Sequence, residues 1–332
     1  RDPARTGRAA PGRTRRGRGR GMKVLIAGAG GVGGYYGGRL LAGGHDVWFL
    51  ARGANLEGLR ANGLSVVSEF GDLRFKTVNT ADDGADAGRV DLVVFCVKTY
   101  DNASGADAIE AAVGEGTAIV SLQNGVENEA FLSSRFPGAE TVAGISRIEA
   151  WIDGPGVVRQ RGPQTNLTIG APHGGPSERA DEIGAAFAKA GVPCETSEDM
   201  PAVLWFKLLG ICGFGGVSAY CTCTLGEILA DEDLRALITG CWNECGEVAR
   251  ARGIGLPEDA AGAMLSYGEN VLNPEFKSSM CRDVERGKPL EVDAINGAIV
   301  RFGEEAGVAT PNNRGVVERL RPLHEAAMVA RA

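Results

Sequence analysis

The sequence predicts an α/β fold in two parts, a mixed N-terminal half and an all-helical C-terminal half. Three observations predict it. A short apolar strand, Lys23 to Ala27, runs straight into the turn Gly28-Ala29-Gly30-Gly31-Val32-Gly33. Strand-like and helix-like segments then alternate as far as residue 196. From Met200 onward strand-like runs vanish and long helical patterns follow.

The glycine turn organises the first half. Gly28, Gly30 and Gly33 stand in G-x-G-x-x-G spacing, which in a chain with 50 glycines also occurs as an ordinary turn. Here it follows a strand and opens the helix-like segment Tyr35 to Gly43, after which His45 to Leu50 gives a second apolar strand. Such a βαβ unit binds a dinucleotide: the first glycine turns the chain, the second admits a pyrophosphate, and the third lets the helix lie close on the strand. The unpaired N–H groups of the helix's first turn, around Gly31 and Val32, then face the phosphates. We therefore expect a Rossmann-type domain over residues 22–196 and a helical domain over 197–328.

Bulk properties bound the function. A length of 332 residues suits two domains. No run reads as the roughly 18 or more apolar residues of a membrane span. Residues 1–21 hold eight Arg and one Asp, a local charge of +7, so the chain from Met22 carries −14 of the overall −7. An acidic body argues against nucleic acid as partner. The Arg-rich leader has no apolar core and is no secretory signal; it reads as a disordered extension before a start at Met22. Eight Cys form no C-x-x-C, and with only three His no zinc-site pattern can be assembled, so no metal is expected. Scattered thiols fit a reducing, cytoplasmic setting.

The end of the second strand bears on the cofactor. An NAD site of this kind carries an acid there, whereas an Arg accommodates the 2′-phosphate of NADP. Here the strand runs out as Phe49-Leu50-Ala51-Arg52. Arg52 is either that phosphate ligand, favouring NADP(H), or a solvated surface arginine. Short strands are expected between Leu64 and Val78, and a central buried one from Val90 to Val97 that delivers Lys98 to the carboxyl edge. A helix over Ala106 to Val113 leads to the strand Thr117 to Leu122, which ends at Gln123-Asn124-Gly125. Ligands of open α/β sheets sit beyond carboxyl strand ends, so Lys98 and Asn124 are candidate contacts, although Asn-Gly is also a common turn pair. Thr141 to Trp151, Gly156 to Arg161, Thr165 to Gly170 and Val192 to Thr196 read as strands, and Ser177 to Gly191 as a helix.

In the second half, apolar stripes at Leu234, Leu237, Ile238, Cys241, Cys245 and Val248, and at Val292, Ile295, Ile299, Phe302 and Ala306, mark packed helices. Two charges stand out against them. Lys207 sits in Val203-Leu-Trp-Phe-Lys-Leu-Leu-Gly210 with no acid at i−4 or i+4. Glu291 is expected to open a helix that begins at Leu290. Each has an ordinary account, a snorkelling lysine and a first-turn acid. Burial beside a cation, however, lowers a lysine's pKa toward neutrality, as a general acid for a ketone requires.

Taken together, MKVLIAGAGGVGG from Met22, Val97-Lys98, Gln123-Asn124-Gly125, Leu204 to Leu208, Ser278-Ser279-Met280, Leu290 to Gly297 and Thr310-Pro311-Asn312 resemble the ketopantoate reductase (2-dehydropantoate 2-reductase) family, in order and over residues 22–325. The resemblance implies NADPH-dependent reduction of a small 2-oxo acid, in a cleft between the two domains, and leaves a homodimer open. It makes Lys207 the general acid, Glu291 the carboxylate at the substrate's hydroxyl end and Ser279 the hydroxyl for the substrate carboxylate. Asn124 and Lys98 would line the cofactor and substrate side, and Arg52 would hold the 2′-phosphate. The family's asparagines four and eight residues after the lysine are replaced by Ile211 and Gly215. That leaves ketopantoate or a different, more apolar 2-oxo acid as substrate. A 3-hydroxy acid or opine-type dehydrogenase, which generally relies on a catalytic His or a different lysine context while no His lies in these strand ends or helical motifs, and a non-catalytic NADP-binding regulator are the other readings.

Overall fold

The structure, a computed structural model, describes residues 21–331. The expected disordered leader thus lies, but for Gly21, outside the described residues. In the first half the chain runs β1 (Lys23–Ala27), α1 (Gly31–Ala42), β2 (Asp46–Leu50), α2 (Gly53–Asn62), β3 (Leu64–Val67), β4 (Leu73–Phe75), β5 (Asn79–Ala81), α3 (Gly84–Ala87), β6 (Leu92–Phe95), α4 (Asn102–Ile109), β7 (Ala118–Ser121), α5 (Asn128–Arg135), β8 (Glu140–Gly154), β9 (Val157–Gly170), α6 (Glu178–Lys189) and β10 (Cys194–Thr196). Helices alone follow among the described residues: α7 (Met200–Cys221), α8 (Leu225–Ala230), α9 (Glu232–Ala251), α10 (Ala260–Asn270), α11 (Ser279–Glu285), α12 (Asn296–Ala306) and α13 (Pro311–Arg331).

The strands form one ten-stranded sheet in the order β4-β3-β9-β8-β7-β6-β1-β2-β5, with β10 beside β9. Parallel pairing joins β2, β1, β6, β7 and the start of β8. Their carboxyl ends therefore share one edge. The order reverses at β1, with β2 on one side and β6 on the other, which makes this edge the ligand crevice of an open α/β sheet. Alternate residues of β1 feed two cores, Val24 and Ile26 on one face and Leu25 and Ala27 on the other, so both faces are covered.

Several expected elements differ in detail. The β6 strand is shorter than Val90 to Val97, and α4 begins at Asn102 rather than Ala106, with a single tight turn, Glu110–Ala112, ending it. Two expected strands, Gly156 to Arg161 and Thr165 to Gly170, are one strand. Its register against β8 slips between Ile148 and Glu149, which pair with Thr165 and Arg161, so residues 162–164 bulge out where Gly162-Pro163 read as a break.

The α7 helix corrects the expectation that no segment is apolar enough for a membrane: it is 22 residues long and an 18-residue stretch of it has a mean hydropathy of 1.6. It is the central core helix of the second half. Trp205, Leu208, Leu209 and Cys212 on it pack in one core with Ile238 and Trp242 of α9, Met280 of α11 and Leu320 of α13. A helix enclosed by neighbours is apolar nearly all round. Glu291 also departs from expectation. It lies outside any helix, and α12 starts at Asn296 after a hydrogen-bonded turn over residues 292–295. Its carboxylate is held by partners from the first half instead.

Candidate active site

The parallel strands deliver Gly28 after β1, Arg52 after β2, Lys98 after β6 and Asn124 after β7 to the same edge. Gly28 has φ +91°, and a Cβ there would come within 2.9 Å of Val97 N, so only glycine turns the chain at this point. A Cβ on Gly33 would meet Gly28 O at 2.2 Å and Ile26 Cγ2 at 2.8 Å, the close approach that seats α1 on β1. Gly30 faces open space. These features fit a bound pyrophosphate, with the N–H groups of Gly31, Val32 and Gly33 in the first turn of α1. The turn is braced by Asn55, whose Nδ2 donates to Ala29 O at 2.7 Å while its Oδ1 accepts from Gly156 N at 3.0 Å. Arg52 is exposed and reaches across to α4, donating to Ser104 O at 3.1 Å and Ser104 Oγ at 3.3 Å. An exposed guanidinium at this strand end fits a 2′-phosphate.

The second half meets this edge through Glu291. Lys98 Nζ donates to Glu291 Oε2 and to Asp283 Oδ2, each at 3.1 Å. Thr99 N donates to Glu291 Oε1 at 3.3 Å and Asn124 Nδ2 to Oε2 at 3.2 Å. Glu291 is buried, and burial alone would raise its pKa. The Lys98 ammonium and these hydrogen bonds outweigh it and hold the carboxyl below its usual range. For Lys98 loss of solvation pulls down, and Glu291 with Asp283 pull its pKa up on balance. Both groups stay charged at neutral pH.

Lys207 follows from helix spacing. The face of α7 that carries Met200, Val203 and Leu204 packs on Ala143 and Ile145 of β8 and on Val126. Lys207 lies one turn further along α7, and Arg147 two residues further along β8, past the parallel pairing that ends at Val142. The Lys207 side chain makes no hydrogen bond or ion pair among the described residues. Loss of solvation lowers its pKa to about 8; Arg147 lowers it too, while Glu291 and Glu129 oppose the fall. Ser279 is exposed at the start of α11, one turn before Asp283, whereas Ser278 is buried and donates to Gly215 O at 3.2 Å. No hydrogen bond ties Ser279 to Lys207 or Glu291 among the described residues. A cavity of about 340 Å³ is lined by Tyr100, Asn128, Glu291, Arg301 and His324; Lys98, Lys207 and the glycine turn do not line it.

Comparison with known proteins gives this arrangement a family. The ketopantoate reductase PanE/ApbA family matches residues 24–174, and its C-terminal counterpart matches residues 199–324. The chain belongs to the ketopantoate reductase family. Its members are NADP-dependent oxidoreductases. A 2-dehydropantoate 2-reductase of Mesorhizobium japonicum is 30% identical over 91% of this chain and 98% of its own length. The solved PanE/ApbA family ketopantoate reductase of Ralstonia eutropha is 36% identical, with a TM-score of 0.85 over 92% of this chain and 100% of that one. A D-mandelate dehydrogenase solved with NADH and anilino(oxo)acetate shares the fold, with a TM-score of 0.84 and 21% identity over 92% of this chain and 99% of that one.

Against the family frame, Gly28 to Gly33, Arg52, Lys98 and Asn124 fall along one edge of the sheet, and Glu291 meets that edge. Lys207 on α7 is within electrostatic reach of Glu291. Sequence reasoning missed Asp283, Glu129, Arg147 and Asn55. Asp283 had a signal, the i+4 spacing from Ser279 on one helix. Arg147 had a weaker one in the alternation of Ala143 and Ile145, and Glu129 and Asn55 had none beyond their closeness to Asn124 and Arg52.

Proposed function

We propose that the protein reduces a 2-oxo acid to the 2-hydroxy acid with NADPH, that the oxo acid is ketopantoate, and that Lys207 is the general acid. The observation that carries this is Lys207 itself, a desolvated ammonium with a pKa of about 8, within electrostatic reach of Glu291. Such a group donates a proton readily near neutral pH, and its charge favours the oxyanion that forms.

NADPH, when bound, supplies the hydride. The glycine turn and the first turn of α1 would hold its pyrophosphate, and Arg52 its 2′-phosphate. Lys207 Nζ keeps the proton that passes to the carbonyl oxygen. Glu291, kept ionised by Lys98, accepts a hydrogen bond from the hydroxyl end of the substrate. Asn124 fixes Glu291 from the sheet side, and Ser279, exposed at the start of α11, is the hydroxyl for the substrate carboxylate. The free thiols at all eight cysteines suit a cytoplasmic enzyme.

One observation favours a second reading. Ile211 and Gly215 on α7 leave no side-chain amide four and eight residues after Lys207. A more apolar 2-oxo acid would suit that wall. The test is NADPH oxidation by the chain starting at Met22, offered ketopantoate beside smaller and bulkier 2-oxo acids. A kcat/KM at least about tenfold higher for ketopantoate, roughly 1.4 kcal/mol of transition-state preference, supports the first reading. The same margin for an apolar acid supports the second, and no turnover with any of them leaves a nucleotide-binding regulator.

A further inference from the structure

We propose that Glu129 is the positioning residue for Lys207: its buried carboxyl is the counter-charge that keeps the lysine in its ammonium form. The proposal rests on the reading of Lys207 as the general acid. Glu129 lies in the first turn of α5 and is 6% exposed. Its Oε2 is buried and has no hydrogen-bond partner among the described residues. Burying a carboxyl oxygen without a partner is costly, so its position calls for a reason.

The packing supplies one. Val126, just before α5, and Val203 of α7 pack against one buried cluster, Ala143 and Ile145 of β8 with Met200 and Leu204 of α7. Glu129 follows Val126 by three residues, in the first turn of α5, and Lys207 lies one helical turn beyond Val203 and Leu204, so both charges are carried close to this shared cluster. The electrostatics agree from both sides: Lys207 lowers the pKa of Glu129 against its burial, and Glu129 raises that of Lys207.

Three charged groups act on Lys207 from the elements around it: Glu291 before α12, Arg147 of β8 and Glu129 of α5. Its own helix offers no other charge within four residues. Glu291 is already neutralised by Lys98. Arg147 opposes the ammonium and is tied at one nitrogen to Thr168 Oγ1 at 3.2 Å. Glu129, which accepts a hydrogen bond from its own backbone N–H but has no ion pair among the described residues, is thus the acid left to balance Lys207. Burial raises its pKa to about 7, so it ionises just below the range in which Lys207 would otherwise lose its proton.

The test compares E129Q, E129D, R147Q and K207A with the unaltered protein. Titration of Lys207 is followed without cofactor by NMR of isotope-labelled methyl groups placed on the lysines, K207A identifying the signal. The alkaline limb of kcat is measured in parallel. Glu129→Gln should lower both midpoints by roughly 0.5–1 pH unit, Arg147→Gln should raise them, and Glu129→Asp should leave them near the unaltered value. A merely structural glutamate would lower turnover without moving either midpoint. An unmoved Lys207 midpoint in folded E129Q overturns the proposal; should E129Q not fold, an E129D midpoint displaced as far as a charge loss predicts does so. A K207A protein that retains turnover overturns the general-acid reading instead, while the titration still decides whether Glu129 acts on Lys207.

Discussion

Lys98 Nζ lies 3.1 Å from Glu291 Oε2, across 193 residues of sequence, and this contact joins the sheet edge to the helical half. Glu291 is 6% exposed, so removing its cation leaves a buried carboxylate held only by Thr99 N and Asn124. Lys98→Ala should destabilise the protein by about 2–3 kcal/mol and raise the KM for the oxo acid, measured by urea melts and steady-state kinetics. Unchanged stability would mean that solvent already screens this contact.

The glycine turn separates binding from folding. Gly30 faces open space, whereas a methyl on Gly33 would press on Gly28 O. Gly30→Ala should keep the melting temperature within about 2 °C and weaken NADPH binding about tenfold or more. Gly33→Ala should lose stability first, because α1 must lift off β1. Calorimetry of binding and thermal melts of the two variants check the contrast.

Arg52 is exposed at the end of β2, and its present contacts to Ser104 are of the weak surface kind. Replacing it with Asp should weaken NADPH binding by about 2 kcal/mol or more, roughly thirtyfold, and NADH binding little. Titration of both nucleotides against the variant is the measurement. Equal losses would remove Arg52 from the 2′-phosphate site.

The pH dependence has a definite sign. Reduction needs protonated Lys207, so kcat should fall as pH rises through about 8. On the acid side Glu291 must stay ionised, and its pKa is held below the usual range, so the loss there should come only below an ordinary glutamate's midpoint. Oxidation of the hydroxy acid needs neutral Lys207 and should rise through the same alkaline range. Profiles of kcat in both directions check the mirror relation.

The fold was legible because its signals are local. A buried strand, a glycine turn and a helix start occupy neighbouring positions, and helical stripes recur at three and four. The bulge at residues 162–164 was not legible, since Gly162-Pro163 has the composition of a loop and only the pairing of Arg161 and Thr165 with β8 on either side keeps it within one strand. Glu291 was found for its sequence context and misplaced on a helix. Its carboxylate is spent on Lys98 and Thr99, and that long-range pairing leaves no periodic trace. Glu129 and Arg147 escaped for the same reason: each matters through what α7 brings beside it.

The most direct test is Lys207→Ala, with single-turnover reduction of the oxo acid and NADPH affinity measured on the same preparation. The account predicts a rate lower by about 10²–10⁴-fold with NADPH binding nearly unchanged. A rate within a few-fold of the unaltered protein, with the fold intact, would contradict it.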